Sequence, residues 1–169
     1  AGKGNNGADG RFASELLQAR GVKVRVFDAD GCPPTLPPAD LVIDAAYGTG
    51  FRGTWEPPDV AGVPVLAVDL PSGVDALTGA VSGDVLAAVA TVTFGAYKPG
   101  LLFAPGAGFA GRVGRGGGAR MGGARDVVDD ATCLDQRGQV VGHLLERIVA
   151  IAGYGRLGGV GPTQFGGHV

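Results

Sequence analysis

VPVLAVDLPSG, residues 63–73, decides the fold. Val63 to Val68 is a nearly continuous apolar run, which suits a strand covered on both faces and so a parallel sheet. A polar turn, Asp69 to Gly73, follows it directly. The same grammar recurs on either side. DLVIDAA at 40–46 is a second apolar strand and runs into the glycine loop GTGFRG at 48–53. A fourth strand is expected from about 88 to 96, followed by Lys98-Pro99-Gly100. Further upstream, VKVRVFD at 22–28 alternates Val22, Val24 and Val26 in the manner of a strand. Before it, Phe12, Leu16, Leu17 and Ala19 share a helical face, with Gly21 as the expected C-cap. Pro33, Pro34, Pro37 and Pro38 predict an extended connector. Strand, polar loop, helix or connector, strand is the pattern of an α/β fold with a mostly parallel sheet. In an open parallel sheet the loops after the strands share one rim, where ligands bind. Asp44, Gly48, Asp69, Ser72 and Lys98 are therefore expected to converge there.

Composition narrows the function classes. The net charge is −2, so the basic face that neutralises nucleic-acid phosphates is absent and no nucleic-acid partner is expected. No apolar run reaches the roughly 18 residues of a membrane span, so no membrane partner is expected. The opening AGKGNNGADG has no charged-then-apolar leader, and a cytoplasmic protein is expected. Cys32 and Cys133 are then expected to be free thiols. The chain holds 33 glycines in 169 residues, about 20% against a usual ~7%. The excess changes the text after Val113. Residues 1–113 read as one domain. Residues 114–169 read as a glycine-rich tail, disordered or foreign to the domain, with one helix near 140–152. Glycine disfavours strands, so none is expected from Gly114 on.

GKGNNG places Gly2, Gly4 and Gly7 in the G-x-G-x-x-G pattern, in which backbone approaches phosphate at a helix N-terminus. Asp28, about 20 residues on, stands where a dinucleotide fold keeps its ribose-binding acid. Asn5 and Asn6 bring amide groups to a loop that needs only glycine for its shape. A conformational role for these asparagines, and a capping role for Asp9, stand as alternatives.

Four blocks, GKGNNGADG at 2–10, DAAYGTGFRG at 44–53, VLAVDLPSGVDALTGA at 65–80 and TVTFGAYKPGLLFAPG at 91–106, resemble the NAD(P)H-hydrate epimerase family, the YjeF N-terminal domain. The resemblance implies a Rossmann-like three-layer α/β/α sandwich that interconverts the R and S forms of hydrated NADH and NADPH. Under it, Asn5, Asn6, Gly7, Ala8 and Asp9 form one substrate-binding loop. Gly48, Thr49, Gly50, Phe51, Arg52, Gly53 and Thr54 form a second. Asp69 contacts the hydrated nicotinamide and is the catalytic acid/base. Asn6, Asp44 and Ser72 hold a potassium ion, K+, and their amide, carboxylate and hydroxyl oxygens are the donors a hard cation takes. Lys98 meets phosphate or substrate. A homodimer is also implied.

Each of these residues has a blander reading. Ser72 serves a turn, Asp44 caps a helix, and Arg52 and Lys98 are solvated. Ala8 stands where the family usually has glycine. The family pattern also carries a strand before GKGNNG and a strand of another type after Val113, so both ends of the sheet are expected to be incomplete. No dehydratase domain, to which the family is often fused, is legible in 114–169. Two competing functions remain open: an NAD(P)-dependent Rossmann oxidoreductase, supported by the glycine pattern and Asp28, and a non-catalytic nucleotide-binding module.

Overall fold

The computed structural model describes residues 1–116 of the chain. Its centre is a parallel sheet of β1 (Val42–Asp44), β2 (Val65–Val68), β3 (Ala90–Phe94) and β4 (Arg112–Gly116), in the spatial order β1-β2-β3-β4. Leu66 pairs with Ile43 on one side and with Ala90 on the other. The apolar run behaves as its composition demands, because every side chain of β2 is buried. Leu66 faces Ala13 and Leu17 of helix α1 (Asn5–Ala19), beside Ala90 and Val92 of β3. Val65 and Ala67 face the other way, onto Ala88, Val60 and Leu86. That alternation is the two-residue period of a strand with apolar cover on both sides. A third cluster joins Leu70, Val74 and Leu101 to Ala110 of the short helix α2 (Ala107–Ala110). The fold is an open α/β parallel sheet of the Rossmann-like kind, as the sequence predicts.

Gly21 ends α1. Its φ is +81°, its N–H reaches the Gln18 carbonyl at 2.9 Å, and the Val22 N–H reaches the Leu17 carbonyl at 3.1 Å. This pair of bonds is the Schellman arrangement, in which a left-handed glycine satisfies the last helical carbonyls.

Two expectations are corrected. VKVRVFD is extended but is not a strand. Of its alternating valines only Val24 packs against the α1 cluster, and Val22 is 39% exposed. A strand also needs a ladder, and among the described residues none runs beside this segment. Val26 is left 45% exposed. The second correction concerns β4, which continues past Val113 to Gly116 with Val92 opposite Gly114 and Phe94 opposite Gly116. Glycine weakens a strand by roughly 0.5–1 kcal/mol per residue. The backbone groups that make the ladder are nevertheless present in every glycine, and β3 offers them a partner along its whole length. The expected helix near 140–152 and Cys133 lie outside the described residues.

Candidate active site

The rim beyond the carboxyl ends of the strands carries the polar groups. Helix α1 opens onto it. Its N-cap, Gly4, brings no side chain, and the first-turn amides of Asn5, Asn6 and Gly7 begin the helix there. The glycine pattern has a different purpose from the one its spacing suggests. A Cβ on Gly2 would lie 1.9 Å from the Ala46 carbonyl oxygen, and one on Gly7 would lie 1.8 Å from the Gly2 carbonyl oxygen. Gly4 alone of the three has open space around it. Gly2 and Gly7 thus seat the helix against the end of β1. Arg11 clamps the same contact, donating to the carbonyls of Gly2 (2.6 Å) and Gly7 (3.3 Å). Arg11 also takes the Asp28 carboxylate in an ion pair. Asp28 is therefore paired within the protein, although its side chain is 71% exposed.

Asn6, Asp44 and Ser72 do come together. Asp44, at the end of β1, is 4% exposed. Its Oδ1 accepts from the Ser72 hydroxyl at 2.6 Å and the Ala46 N–H at 3.1 Å, and its Oδ2 accepts from the Ser72 N–H at 2.9 Å. Burial pushes the Asp44 carboxyl above the ordinary carboxylate range, and the bonds from Ser72 and Ala46 oppose the rise. Both Ser72 and Asn6 also grip Tyr47. The Tyr47 N–H donates to Ser72 Oγ at 2.8 Å, and Asn6 Nδ2 donates to the Tyr47 carbonyl at 2.9 Å. Asn6 Oδ1 is buried and has no hydrogen-bond partner among the described residues. Leaving such an acceptor empty costs about 1–3 kcal/mol. Its neighbourhood supplies a carboxylate, a hydroxyl and a carbonyl. Among the described residues no three Asp, Glu, His or Cys side chains gather as they do around a transition metal. An orphaned amide oxygen, linked through Tyr47 and Ser72 to one buried carboxylate, has the donor chemistry of a site for an oxygen-loving cation of low charge.

Asp69 follows β2 and carries a second polar centre. Its Oδ1 accepts from Thr93 Oγ1 and the Phe94 N–H, both at 3.2 Å, and from Lys98 Nζ in an ion pair. Lys98 Nζ is held in turn by Thr93 Oγ1 and the Phe94 carbonyl, both at 2.8 Å. Oδ2 takes no hydrogen bond from the described residues. Lys98 is therefore a part-buried partner of Asp69 and not a solvated turn lysine. Asp69 sits at φ +70°, and the Leu70 N–H reaches back to the Val68 carbonyl at 2.9 Å. This is a γ-turn with a strained central residue. The strain predicts that Asp69→Gly is more stable than Asp69→Ala by about 1 kcal/mol, or roughly 4–8 °C in Tm. Both variants lose the Lys98 pairing equally, so the difference between their melting curves isolates the backbone. Equal melting temperatures would show that the turn carries no strain.

The loop from Gly48 to Thr54 lies against the first centre. A Cβ on Gly48 would come 3.1 Å from Asn6 Cβ. Arg52 is exposed and donates to the carbonyls of its own loop, Phe51 at 2.6 Å and Thr49 at 3.5 Å. On α1, Asp9 is pushed above the ordinary carboxylate range by burial first and by the charge of Asp69 second. The sequence reading missed Thr93, which braces the Asp69–Lys98 pair, and Tyr47. It also missed Lys3, paired with Asp30 at 2.7 Å, and Asp30, which accepts from the Tyr47 hydroxyl at 3.3 Å. A lysine and an aspartate 27 positions apart carry no local signal of their pairing. Tyr47 lies inside a quoted motif and was legible only as a loop residue.

Residues 28–100 match the family described as YjeF-related protein N-terminus. The chain is 36% identical, over 67% of its length, to the NAD(P)H-hydrate epimerase of Limosilactobacillus fermentum and spans 70% of that protein. It is 35% identical to the NAD(P)H-hydrate epimerase of Leuconostoc mesenteroides, covering 60% of each chain. It is likewise 35% identical to the bifunctional NAD(P)H-hydrate repair enzyme of Moorella thermoacetica, but spans 29% of that longer protein.

Proposed function

The chain belongs to the NAD(P)H-hydrate epimerase family, and on that premise we propose that it interconverts the R and S forms of hydrated NADH and NADPH with Asp69 as the acid/base. The observation that carries this reading is the Asp69 carboxylate at the rim, with Oδ1 locked by three donors and Oδ2 left open. The hydrated carbon bears a hydroxyl and the ring nitrogen. Epimerisation needs one bond to that carbon to break and re-form on the other face. If the ring opens, a base takes the hydroxyl proton, a C=O forms and the C–N pair leaves with nitrogen. If water leaves, an acid gives the hydroxyl a proton as the nitrogen lone pair makes C=N. Either route needs a carboxyl group that can give and take one proton. Lys98 and Thr93 fix which oxygen does so. The open first turn of α1 supports binding of the nucleotide phosphates near Asn5 to Asp9, with Gly48 to Thr54 as the facing loop. The direct test is incubation with pure S-hydrate of NADPH and chromatographic separation of R from S. Binding without turnover would favour the non-catalytic module. Tight binding of intact NADP+ in preference to the hydrate would favour the oxidoreductase, a reading already weakened because Arg11 holds Asp28.

Potassium belongs to the same proposal. Asn6 Oδ1, Asp44 and Ser72 are the residues that would hold it, and the orphaned Asn6 oxygen supports them. Bound there, the ion supplies positive charge beside the anionic substrate. Asp44→Asn, which keeps shape and removes the charge, is expected to raise the potassium concentration for half-maximal activity at least tenfold, about 1.4 kcal/mol. An unchanged potassium dependence would remove Asp44 from the ion site. A cytoplasmic location, and the homodimer that the family resemblance implies, complete the reading. Sedimentation of the intact chain tests the second.

A further inference from the structure

We infer that Tyr47 is a positioning residue that couples the oxygen cluster of Asn6, Asp44 and Ser72 to the loop from Gly48 to Thr54, so that a cation in the cluster and a nucleotide under the loop strengthen each other. The inference rests on the proposed cation site and goes beyond it.

Tyr47 is held from both sides. Its backbone belongs to the cluster: the N–H donates to Ser72 Oγ at 2.8 Å, and the carbonyl accepts from Asn6 Nδ2 at 2.9 Å and from Ser72 Oγ at 3.2 Å. Its side chain belongs to the loop. The ring lies 4.3 Å from the Phe51 ring at a 32° tilt and 5.7 Å from the Trp55 ring, edge to face. The hydroxyl is tethered to Asp30 at 3.3 Å, and Asp30 is paired with Lys3. Between the rings, Gly48, Gly50 and Gly53 bring no side chains to hold the loop, and among the described residues Arg52 donates only within it. The Tyr47, Phe51 and Trp55 rings therefore join the cluster to the loop, whose far end is also anchored by the backbone bridge of Trp55 to Gly83.

The coupling runs through one amide. Asn6 uses Nδ2 on the Tyr47 carbonyl and leaves Oδ1 buried and empty. A cation on Oδ1 polarises the amide, and a polarised amide is a stronger donor. The Tyr47 backbone is then held more firmly and the loop with it. Linkage makes the effect reciprocal: a nucleotide that orders the loop raises the cation affinity by the same factor, typically 5–150-fold.

The chain contains a single tryptophan, Trp55, so its emission reports on this contact. The experiment titrates the intact 169-residue chain with potassium chloride against choline chloride at constant ionic strength. Emission and melting temperature are followed together, with and without hydrated NADPH. The wild-type protein is expected to show a potassium-specific change in emission with the same midpoint as its potassium-specific stabilisation. Hydrated NADPH should lower that midpoint at least fivefold. Tyr47→Ala should still be stabilised by potassium but lose both the emission response and the shift in midpoint. Phe51→Ala, which spares the cluster, should do the same, and Tyr47→Phe should retain both. Potassium stabilisation in the wild type without an emission response, or a full response in Phe51→Ala, overturns the coupling alone. No potassium stabilisation of the wild type overturns the cation site, and the coupling with it.

Discussion

Asp69→Asn is expected to bind hydrated NADPH within about tenfold of the wild-type protein, roughly 1.4 kcal/mol, and to lose epimerisation by about 10²–10⁴, the usual contribution of one acid/base group. Asparagine keeps the size of the side chain and an oxygen that can accept from Thr93, the Phe94 N–H and Lys98. It has no oxygen that takes and returns a proton. Loss of the ion pair with Lys98 is the main side effect, because Lys98 is only 16% exposed. Lys98 keeps the Phe94 carbonyl and Thr93 as partners, so the fold should survive. Binding is read by competition with labelled nucleotide, and rate by separating the R and S hydrates. Equal rates for the two proteins would take Asp69 out of the chemistry. A parallel collapse of binding would make it a ligand for the nicotinamide and nothing more.

The frame of this site was legible from the order of residues. Continuous apolar runs followed at once by polar turns placed Asp44, Ser72, Asp69 and Lys98 on one rim, because a parallel sheet leaves no other place for the ends of its strands. What was not legible depends on contacts between distant segments. Alternation in VKVRVFD gave no hint that a ladder partner would be missing, since pairing is not a property of one strand. The left-handed turn at Asp69 has no glycine to announce it. Lys98 could be read as a substrate contact or as a solvated lysine, because its partners, Asp69 and Thr93, are set by the β2–β3 register, with Val68 beside Val92. Arg11 carried no signal of its pairing with Asp28, because the two are 17 positions apart and meet only in the folded chain.

Gly7→Ala should destabilise the domain by about 3 kcal/mol or more, a large share of a typical 5–15 kcal/mol, whereas Gly4→Ala should cost at most about 1 kcal/mol. In an open helical position the first change would be stabilising by about 1 kcal/mol, because alanine is the better helix former. Here the new methyl would lie 1.8 Å from the Gly2 carbonyl oxygen, 2.4 Å from its carbon and 2.7 Å from its nitrogen. These are backbone atoms, which cannot swing aside as a side chain can. Gly2 is itself fixed by its N–H bond to the Ala45 carbonyl at 2.9 Å, and a Cβ there would strike Ala46. The helix must therefore lift off the end of β1, which pulls Ala13 and Leu17 away from Leu66. Gly4 has an extended backbone, φ −84° and ψ −170°, and nothing within 4 Å of a Cβ, so alanine fits there. The two variants separate the two meanings of the glycine pattern. Urea denaturation of each, with binding of hydrated NADPH measured well below the transition, reads them apart. If the glycines serve phosphate approach, both variants fold normally and Gly4→Ala binds as poorly as Gly7→Ala. If they seat the helix, Gly7→Ala alone shifts the urea midpoint, and whatever fraction of it remains folded binds less well because the first turn of α1 has moved off the rim.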